Sequence, residues 1–317
     1  MATYLVTGGA GFIGSHIVHE LARRGEAVRV LHNLSTGRIA NLAQVSDCIT
    51  FCDADICDSA SIFPLFADTH YVIHLAALPS VARSIDDPLT ANAVNITGTL
   101  NVLLAARDAG VRRLVFAASA AAYGDNPTLP RVETLPPNPL SPYALAKLAG
   151  EYYCQIFTRI YGLETVALRY FNIFGPRQNP DSPYTGVLSK FVAAYQRGDT
   201  PVIFGDGQQS RDFTYVENVV NATLKACTAP AAAGKVINVG VGRSYTLNQT
   251  IALLNGIFGR QVRPQYDPPR KGDVFQSLAD ISLARQTLGY EPQVSFEEGL
   301  RRTVDWFKSE ATSPCGR

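Results

Sequence analysis

No stretch of this 317-residue chain runs strongly to one charge. Its 28 Lys and Arg against 27 Asp and Glu give a formal net charge of +1. No basic run points to nucleic acid, and no acidic tail points to disorder. Hydrophobic residues make up 46% of the chain, yet no uninterrupted apolar stretch approaches the roughly 20 residues of a membrane span. The opening Ala2-Thr3-Tyr4-Leu5-Val6-Thr7-Gly8 lacks a basic segment followed by an apolar one, so it does not read as a signal peptide. The six cysteines (Cys48, Cys52, Cys57, Cys154, Cys227 and Cys315) keep no C-x-x-C spacing. They read as free thiols of a reducing compartment, not as a disulfide framework. The five histidines, His16, His19, His32, His70 and His74, form no H-E-x-x-H or comparable pattern, so no metal site is expected. These absences leave a soluble, cytoplasmic globular protein without nucleic-acid or membrane partners. Its length suits one large domain or two smaller ones.

What is present is an alternation. Short β-rich runs at 4–7, 27–31, 49–53, 71–75, 114–118 and 165–170 are separated by amphipathic stretches such as 13–24 and 92–109. That pattern predicts βαβ units and a doubly wound parallel sheet covered on both faces. The strands are nearly continuous in apolar residues, as burial on both faces demands. After Phe174 the texture changes to a turn-rich loop at 175–183, followed by helical patterns at 187–197, 247–258 and 281–288. A strand at 236–239, flanked by glycines, could return to the first sheet, so the two halves are expected to interleave.

Between the first strand and the first helix lies Thr7-Gly8-Gly9-Ala10-Gly11-Phe12-Ile13-Gly14-Ser15. Gly9, Gly11 and Gly14 satisfy G-x-G-x-x-G, and Gly8, Gly11 and Gly14 the related G-x-x-G-x-x-G. Such glycines make a tight turn and let the backbone approach a pyrophosphate at a helix N-terminus. The reading is a dinucleotide site. The second strand should then end in an acid for the adenosine ribose, but the chain has His32-Asn33-Leu34-Ser35-Thr36-Gly37-Arg38. Asn33 or Ser35 remains able to bond the ribose, and Arg38 leaves NADP open beside NAD. Asp55-Ile56 after the third strand suits the adenine.

Two further groups carry chemistry. Ser119 closes the strand at 114–118, at the end where parallel sheets gather ligands. Ser141 is a good N-cap and Pro142 a good first helical residue, so Tyr143 and Lys147 should share one helix face. A nearby ammonium lowers a phenol from its reference pKa near ~10, which makes Tyr143 a candidate acid/base for an alcohol–ketone interconversion.

Glycine turn, strand-end serine and Y-x-x-x-K together resemble the extended short-chain dehydrogenase/reductase family, over essentially the whole chain. The resemblance sharpens toward nucleotide-sugar 4-epimerases, and most toward the bacterial UDP-N-acetylglucosamine 4-epimerase group. Its further stretches are Asn33-Leu34-Ser35-Thr36-Gly37, Ala76-Ala77-Leu78-Pro79-Ser80-Val81 and Arg169-Tyr170-Phe171-Asn172-Ile173-Phe174-Gly175. Gly205-Asp206-Gly207, Ser210-Arg211-Asp212-Phe213, Arg270-Lys271-Gly272-Asp273 and Ser277-Leu278-Ala279-Asp280 complete the series.

The resemblance implies a Rossmann-type NAD domain over 1–170, to which 205–245 partly returns, and a smaller mixed α/β domain over 171–317 for the nucleotide sugar. It implies NAD contacts from Gly8, Gly11, Phe12, Ile13, Gly14, Asn33, Ser35, Thr36, Gly37, Asp55 and Ile56. Leu75, Ala76, Ala77, Asn95, Tyr143, Lys147 and Tyr170 extend that set. Ser119, Tyr143 and Lys147 would be catalytic. Ser80, Ser119, Tyr143, Asn172, Val187, Phe204, Arg211, Arg270, Asp273 and Ser277 would hold the UDP-sugar. A homodimer through 92–109 and 141–161 is also implied.

Departures discriminate within the family. His32 stands where the ribose-binding aspartate is usual, and Ala118 and Ala120 flank Ser119 where relatives often carry serines. Dehydratases and decarboxylases of the family place acids after the strand-end hydroxyl, where this chain has Ala120 and Ala121. Ser277 falls where some relatives close the sugar pocket with a tyrosine, and its small size admits a 2-acetamido group. The expectation is C4 epimerisation of a UDP-hexose, chiefly UDP-GlcNAc/UDP-GalNAc, with UDP-Glc/UDP-Gal possible. UDP-glucuronate epimerisation, a nucleotide-sugar reductase or dehydrogenase, and a silent NAD-binding protein are the alternatives.

Overall fold

The computed structural model describes residues 1–179, 186–269 and 274–312. Its centre is a seven-stranded sheet, all parallel, built from β1 (Thr3–Thr7), β2 (Ala27–His32), β3 (Ile49–Asp53), β4 (Tyr71–His74), β5 (Arg113–Ser119), β6 (Glu164–Tyr170) and β7 (Val236–Val239). The spatial order is β7-β6-β5-β4-β1-β2-β3, so the winding direction reverses between β1 and β4. Ligands of such sheets settle outside the carboxyl ends of the strands at that reversal. This is the doubly wound α/β architecture that the sequence pattern predicts. Register places Thr7 beside Leu31 on one side and His74 on the other, and Ser119 beside Tyr170.

Helices cover both faces. On one, α1 (Phe12–Arg23) buries Ile17, Val18 and Leu21, and joins the core that contains Val219 and Ala222 of a later helix, Val216–Thr228. On the other, α2 (Pro88–Asp108) and α3 (Pro142–Tyr161) bury Val102, Leu103, Cys154 and Phe157 against Leu114 and Phe116. Gly150 lets α3 press on β5, because a Cβ there would lie 2.4 Å from Phe116 Cζ.

The second helix starts earlier than its periodicity suggests. Asp87 accepts from the Thr90 N–H (3.1 Å) and Pro88 takes the first helical position, so the cap wins over the first apolar repeat. A π-helical turn at Ala93–Gly98 interrupts it, and Asn95 inside that turn holds the Leu78 peptide from both sides. This 21-residue helix is long and apolar enough to cross a membrane, a length hidden in the sequence because Asn92, Asn95 and Asn101 break up its apolar runs.

After β6 the sheet style changes. Ile173–Phe174 pairs with Thr214–Tyr215, Ser210–Arg211 with Tyr245–Thr246, and Val202–Phe204 with Gln265–Asp267. These short pairs enclose an aromatic core in which Phe296 stacks on Phe213 (5.1 Å between centroids) and meets Phe174 edge-on (5.4 Å). Such pairs add about 0.5–1.5 kcal/mol each beyond area burial. Asp212 binds this region together by accepting from the N–H groups of Val241 (2.8 Å), Gly242 (3.0 Å) and Ala279 (3.2 Å).

Candidate active site

The glycine turn sits at the reversal point, and its glycines are there for space. Gly8 has φ +72°, and a Cβ on it would come within 2.7 Å of Ala76 N. One on Gly14 would stand 2.3 Å from the Gly8 carbonyl oxygen. The turn therefore lies against the Leu75–Ala77 segment, and Thr7 clamps the two by accepting from Leu75 N and Ala76 N (3.2 Å each). Behind it His74 bridges Thr7 Oγ1 (2.7 Å) and Thr99 Oγ1 (3.0 Å). Helix α1 begins with Gly11 and has neither a side-chain cap nor an acid in its first turn. Its first N–H groups and the positive end of its dipole are open to an anion. A turn of bare backbone packed this closely, leading into an uncapped helix, fits the pyrophosphate of a dinucleotide.

The residues expected to serve an adenosine lie on loops. Asn33 Nδ2 donates to Asp55 Oδ2 (2.9 Å), while Asn33 Oδ1 accepts from Ser35 N (3.1 Å) and Ser35 Oγ (2.8 Å). Burial pushes the Asp55 carboxyl up, but hydrogen bonds from Cys57 and Asn33 outweigh it and leave it below the usual range. Ile56 is buried against Gly98, leaving no room for a Cβ there. Thr36 and Gly37 complete the loop.

Ser119 and Tyr143 meet at the end of β5, and Lys147 reaches the same strand at Ala117. Ser141 caps α3 by accepting from Ala144 N (3.1 Å), with Pro142 next. Lys147, one turn on from Tyr143, donates to the Ala117 carbonyl (2.8 Å) and is buried. Burial lowers its pKa to about 8, against the pull of Cys154 and Glu151. Tyr143 keeps part of its surface open, yet burial of its hydroxyl raises its pKa and the Ser119 hydroxyl pulls it back down. This reverses the expectation that the neighbouring ammonium lowers it: desolvation exceeds every charge effect here, and Lys147 is engaged by β5. Ser119 accepts from Ala121 N (3.1 Å), and Ser80 accepts from Arg83 N (3.0 Å). Each serine thus spends an acceptor on the backbone and keeps its own proton to donate.

On the other side of the cleft a cavity of about 270 Å³ is lined by Asn172, Val187, Phe204, Gln209, Arg211 and Phe213, among others. Four residues named from the sequence therefore share one space. Asn172 has φ +34° and donates to the Asp212 carbonyl (3.2 Å) and the Ser277 hydroxyl (3.5 Å), which links the cavity to Ser277. Ser277 is buried and its N–H donates to Ser210 O (3.0 Å). Arg211 is held by Ser210 O (2.9 Å) and Phe275 O (3.1 Å). Its neighbour Asp212 is turned away onto backbone N–H groups, with its pKa pushed up to about 6 by burial. Arg270 and Asp273 lie outside the described residues.

Two of the expected cofactor contacts have side chains engaged within the protein. Asn95 accepts from Leu78 N (2.7 Å) and donates one amide hydrogen to Leu78 O (3.2 Å), so it shapes the Ala76–Ser80 segment and keeps a second amide hydrogen. The Tyr170 phenol is buried against Thr223 (2.7 Å), which leaves only its main chain for the cleft. Two residues went unread in the sequence. Ser84 accepts from the Tyr143 N–H (3.1 Å) and donates to Val81 O (2.7 Å), tying the Ser80 helix to the start of α3. Gln209, buried beside Phe204, lines the cavity. The spacing of neither residue carries a signal.

Comparison with known proteins gives a consistent set of matches. The family model described as Epimerase, NAD dependent epimerase/dehydratase family, matches residues 4–240. The UDP-glucose 4-epimerase of Mycolicibacterium smegmatis is 41% identical over 312 residues, covering 97% of this chain and 99% of that one. A UDP-N-acetylglucosamine 4-epimerase of Methanobrevibacter ruminantium, solved with UDP-N-acetylmuramic acid, superimposes with TM-score 0.94 at 40% identity, covering 98% and 99% of the two chains. The UDP-glucose 4-epimerase of Thermus thermophilus, solved with NAD, superimposes with TM-score 0.88 at 38% identity, covering 96% and 99%.

Proposed function

The chain belongs to the NAD dependent epimerase/dehydratase family, and on that premise we propose that it inverts C4 of a UDP-hexose, UDP-GlcNAc and UDP-GalNAc foremost, with UDP-Glc and UDP-Gal as further substrates. The observation that carries this reading is the composition of the β5 end. Ser119 and Tyr143 meet there beside the glycine turn, and Ala120 and Ala121 offer no second acid. A site with one acid/base and no neighbouring carboxyl group to move a further proton is suited to oxidising and re-reducing one carbon, not to eliminating water.

The chain's own residues divide the work. Tyr143, as phenolate, takes the proton of the 4-hydroxyl while Ser119 donates to the same oxygen. When bound, NAD supplies a reversible acceptor for the hydrogen and electron pair of C4. Gly8, Gly11, Gly14 and the α1 N-terminus would hold its pyrophosphate, Asn33, Ser35 and Asp55 its adenosine, and Lys147 its nicotinamide ribose. Release of Lys147 from Ala117 O toward that ribose would bring its charge to bear on Tyr143. Arg211 and Asn172 would anchor the diphosphate, with Val187 and Phe204 around the uridine, while Ser80 and Ser277 leave the hexose room to turn over. Tyr143 then returns its proton to O4 of the inverted sugar. The stretch 1–170, with 205–245, would serve the cofactor and 171–317 the nucleotide sugar.

A homodimer belongs to the same reading. Leu145, Tyr152, Ile156 and Ile160 on α3 are 54%, 50%, 43% and 68% exposed, an apolar stripe that a second copy would cover.

Incubation with UDP-GlcNAc, UDP-Glc and UDP-GlcA separately, without added oxidant, tests the function. C4 epimers seen by NMR for UDP-GlcNAc support it. Conversion of UDP-GlcA alone would move the substrate, and conversion of none would remove the activity.

A further inference from the structure

The adenosine end of the cleft contains a side chain that the fold itself does not use. His32 closes β2, the place from which a carboxylate ordinarily binds the ribose 2′-hydroxyl of NAD. It is only 7% exposed, and neither Nδ1 nor Nε2 has a hydrogen-bond partner. Leaving buried polar atoms unpaired is costly, and each such case calls for a reason. The surroundings show why the protein supplies no partner. A Cβ on Gly37 would come within 2.4 Å of His32 Nε2 and 2.6 Å of the Ala10 carbonyl oxygen, so the three groups crowd one point. That oxygen already accepts from Arg38 N (3.1 Å) and Asn41 Nδ2 (2.9 Å), which uses both its lone pairs. The ring is wedged between the phosphate turn and the Asn33–Gly37 loop.

The carboxylates nearby do not replace the missing one. Asp55 accepts from Asn33 and from Cys57 N (2.8 Å). Asp53 pairs with His32 in the ladder but is exposed on β3. The loop is also fixed: Leu34 stands at φ +54°, a conformation unfavourable for leucine, inside the hydrogen bonds of Asn33 to Ser35. At its far end Arg38 is exposed and makes no ion pair among the described residues.

We propose that His32 reads the adenosine ribose with a neutral imidazole in place of a carboxylate, and that the pocket accepts a ribose 2′-phosphate, binding NADP as well as NAD. A neutral imidazole offers one donor and one acceptor. The donor serves a hydroxyl or a phosphate oxygen equally, the acceptor takes a hydroxyl proton, and the ring itself brings no negative charge to add to those of Asp53 and Asp55 nearby. Arg38 supplies the countercharge.

The inference rests on the NAD reading of the glycine turn and can fail separately from it. The purified protein is equilibrated with equal NAD and NADP, desalted, and the retained nucleotides are released and quantified; calorimetry with each nucleotide gives the affinities. The expected result is retention of both within about tenfold of each other, and a shift toward NAD of at least about 30-fold in His32→Asp, from the repulsion of a carboxylate and a phosphate. Arg38→Gln should weaken NADP and spare NAD. His32→Asn, which keeps a neutral donor and acceptor, should leave the ratio within about threefold, and melting curves confirm that each variant is folded. NAD bound with NADP excluded by more than about 100-fold overturns the inference alone, as does an unchanged ratio in folded His32→Asp. Binding of neither nucleotide overturns the site reading and the inference together.

Discussion

The two ends of the cleft are made of different material. At the glycine turn the ligand-facing surface is backbone, held by a seven-stranded sheet whose register leaves no freedom, and a single added methyl collides at 2.3 Å on Gly14. At the other end the surface is side chains: Asn172, just past the end of β6, and Arg211, on a strand of two residues, line a cavity of about 270 Å³, and Asn172 reaches Ser277 beside it. Backbone sites tolerate almost no substitution and recognise a group that every dinucleotide shares. Side-chain sites can be recut by one replacement, and that is where members of one fold can diverge in substrate. Ser119 and Tyr143 lie on the seam between them.

The seam should show the largest effect. Tyr143→Phe is expected to reduce turnover by at least about 10³-fold while UDP-sugar affinity, measured by calorimetry, stays near wild type; rates close to wild type would remove the assigned base. Next comes the backbone end. Gly14→Ala should lower NAD affinity by about 100-fold or abolish it, with UDP binding to the far cavity largely kept. Equal loss at both ends would mean that the distinction between them is false.

Acid should then weaken the whole frame. Burial holds His16 at about 4 and His74 at about 3. Their folded pKa values are depressed, so their contribution is intact above the unfolded value near ~6.5 and is lost as pH falls through it toward 4. At pH 5 that amounts to about 2 kcal/mol for each. Asp212 works in the opposite sense: its folded pKa is raised to about 6, so it favours folding increasingly as pH falls from 6 toward 4. It offsets part of the histidine loss at pH 5, and urea melts should register lower stability at pH 5 than at pH 7. Unchanged stability would mean that the histidines are not held neutral by the fold. The smallest effect belongs to the side-chain end: Ser277→Tyr should cut kcat/KM for UDP-GlcNAc about tenfold relative to UDP-Glc. An equal loss for both sugars would show that the position is no gate.

How much of this was readable beforehand follows the same division. The glycine turn was legible because its spacing is dictated by backbone geometry within nine residues. The strands were legible because burial on both faces leaves apolar runs, and each main strand lies within a residue or so of its expected limits. Asn172, Val187, Phe204 and Arg211 could be named only by resemblance, because no local pattern announces that residues so far apart line one cavity. Ser84, which steadies the Tyr143 backbone, was invisible for the same reason. The electrostatics of Tyr143 were misread from the Y-x-x-x-K spacing: four residues on a helix specify a neighbour, but depth of burial is a property of the assembled fold.

The strand order has a consequence for the growing chain. Six strands of the sheet emerge in sequence, but the outer neighbour of β6 is β7, which follows the whole Ile173–Thr228 region. Until residues 236–239 leave the ribosome, β6 presents an unpaired, apolar edge able to recruit a strand from another nascent molecule. The pairing is bounded by Gly234 N donating to Thr165 O (2.7 Å) at one end and Phe171 N to Val239 O (3.0 Å) at the other. That late clasp makes chains truncated before residue 236 candidates for aggregation during synthesis.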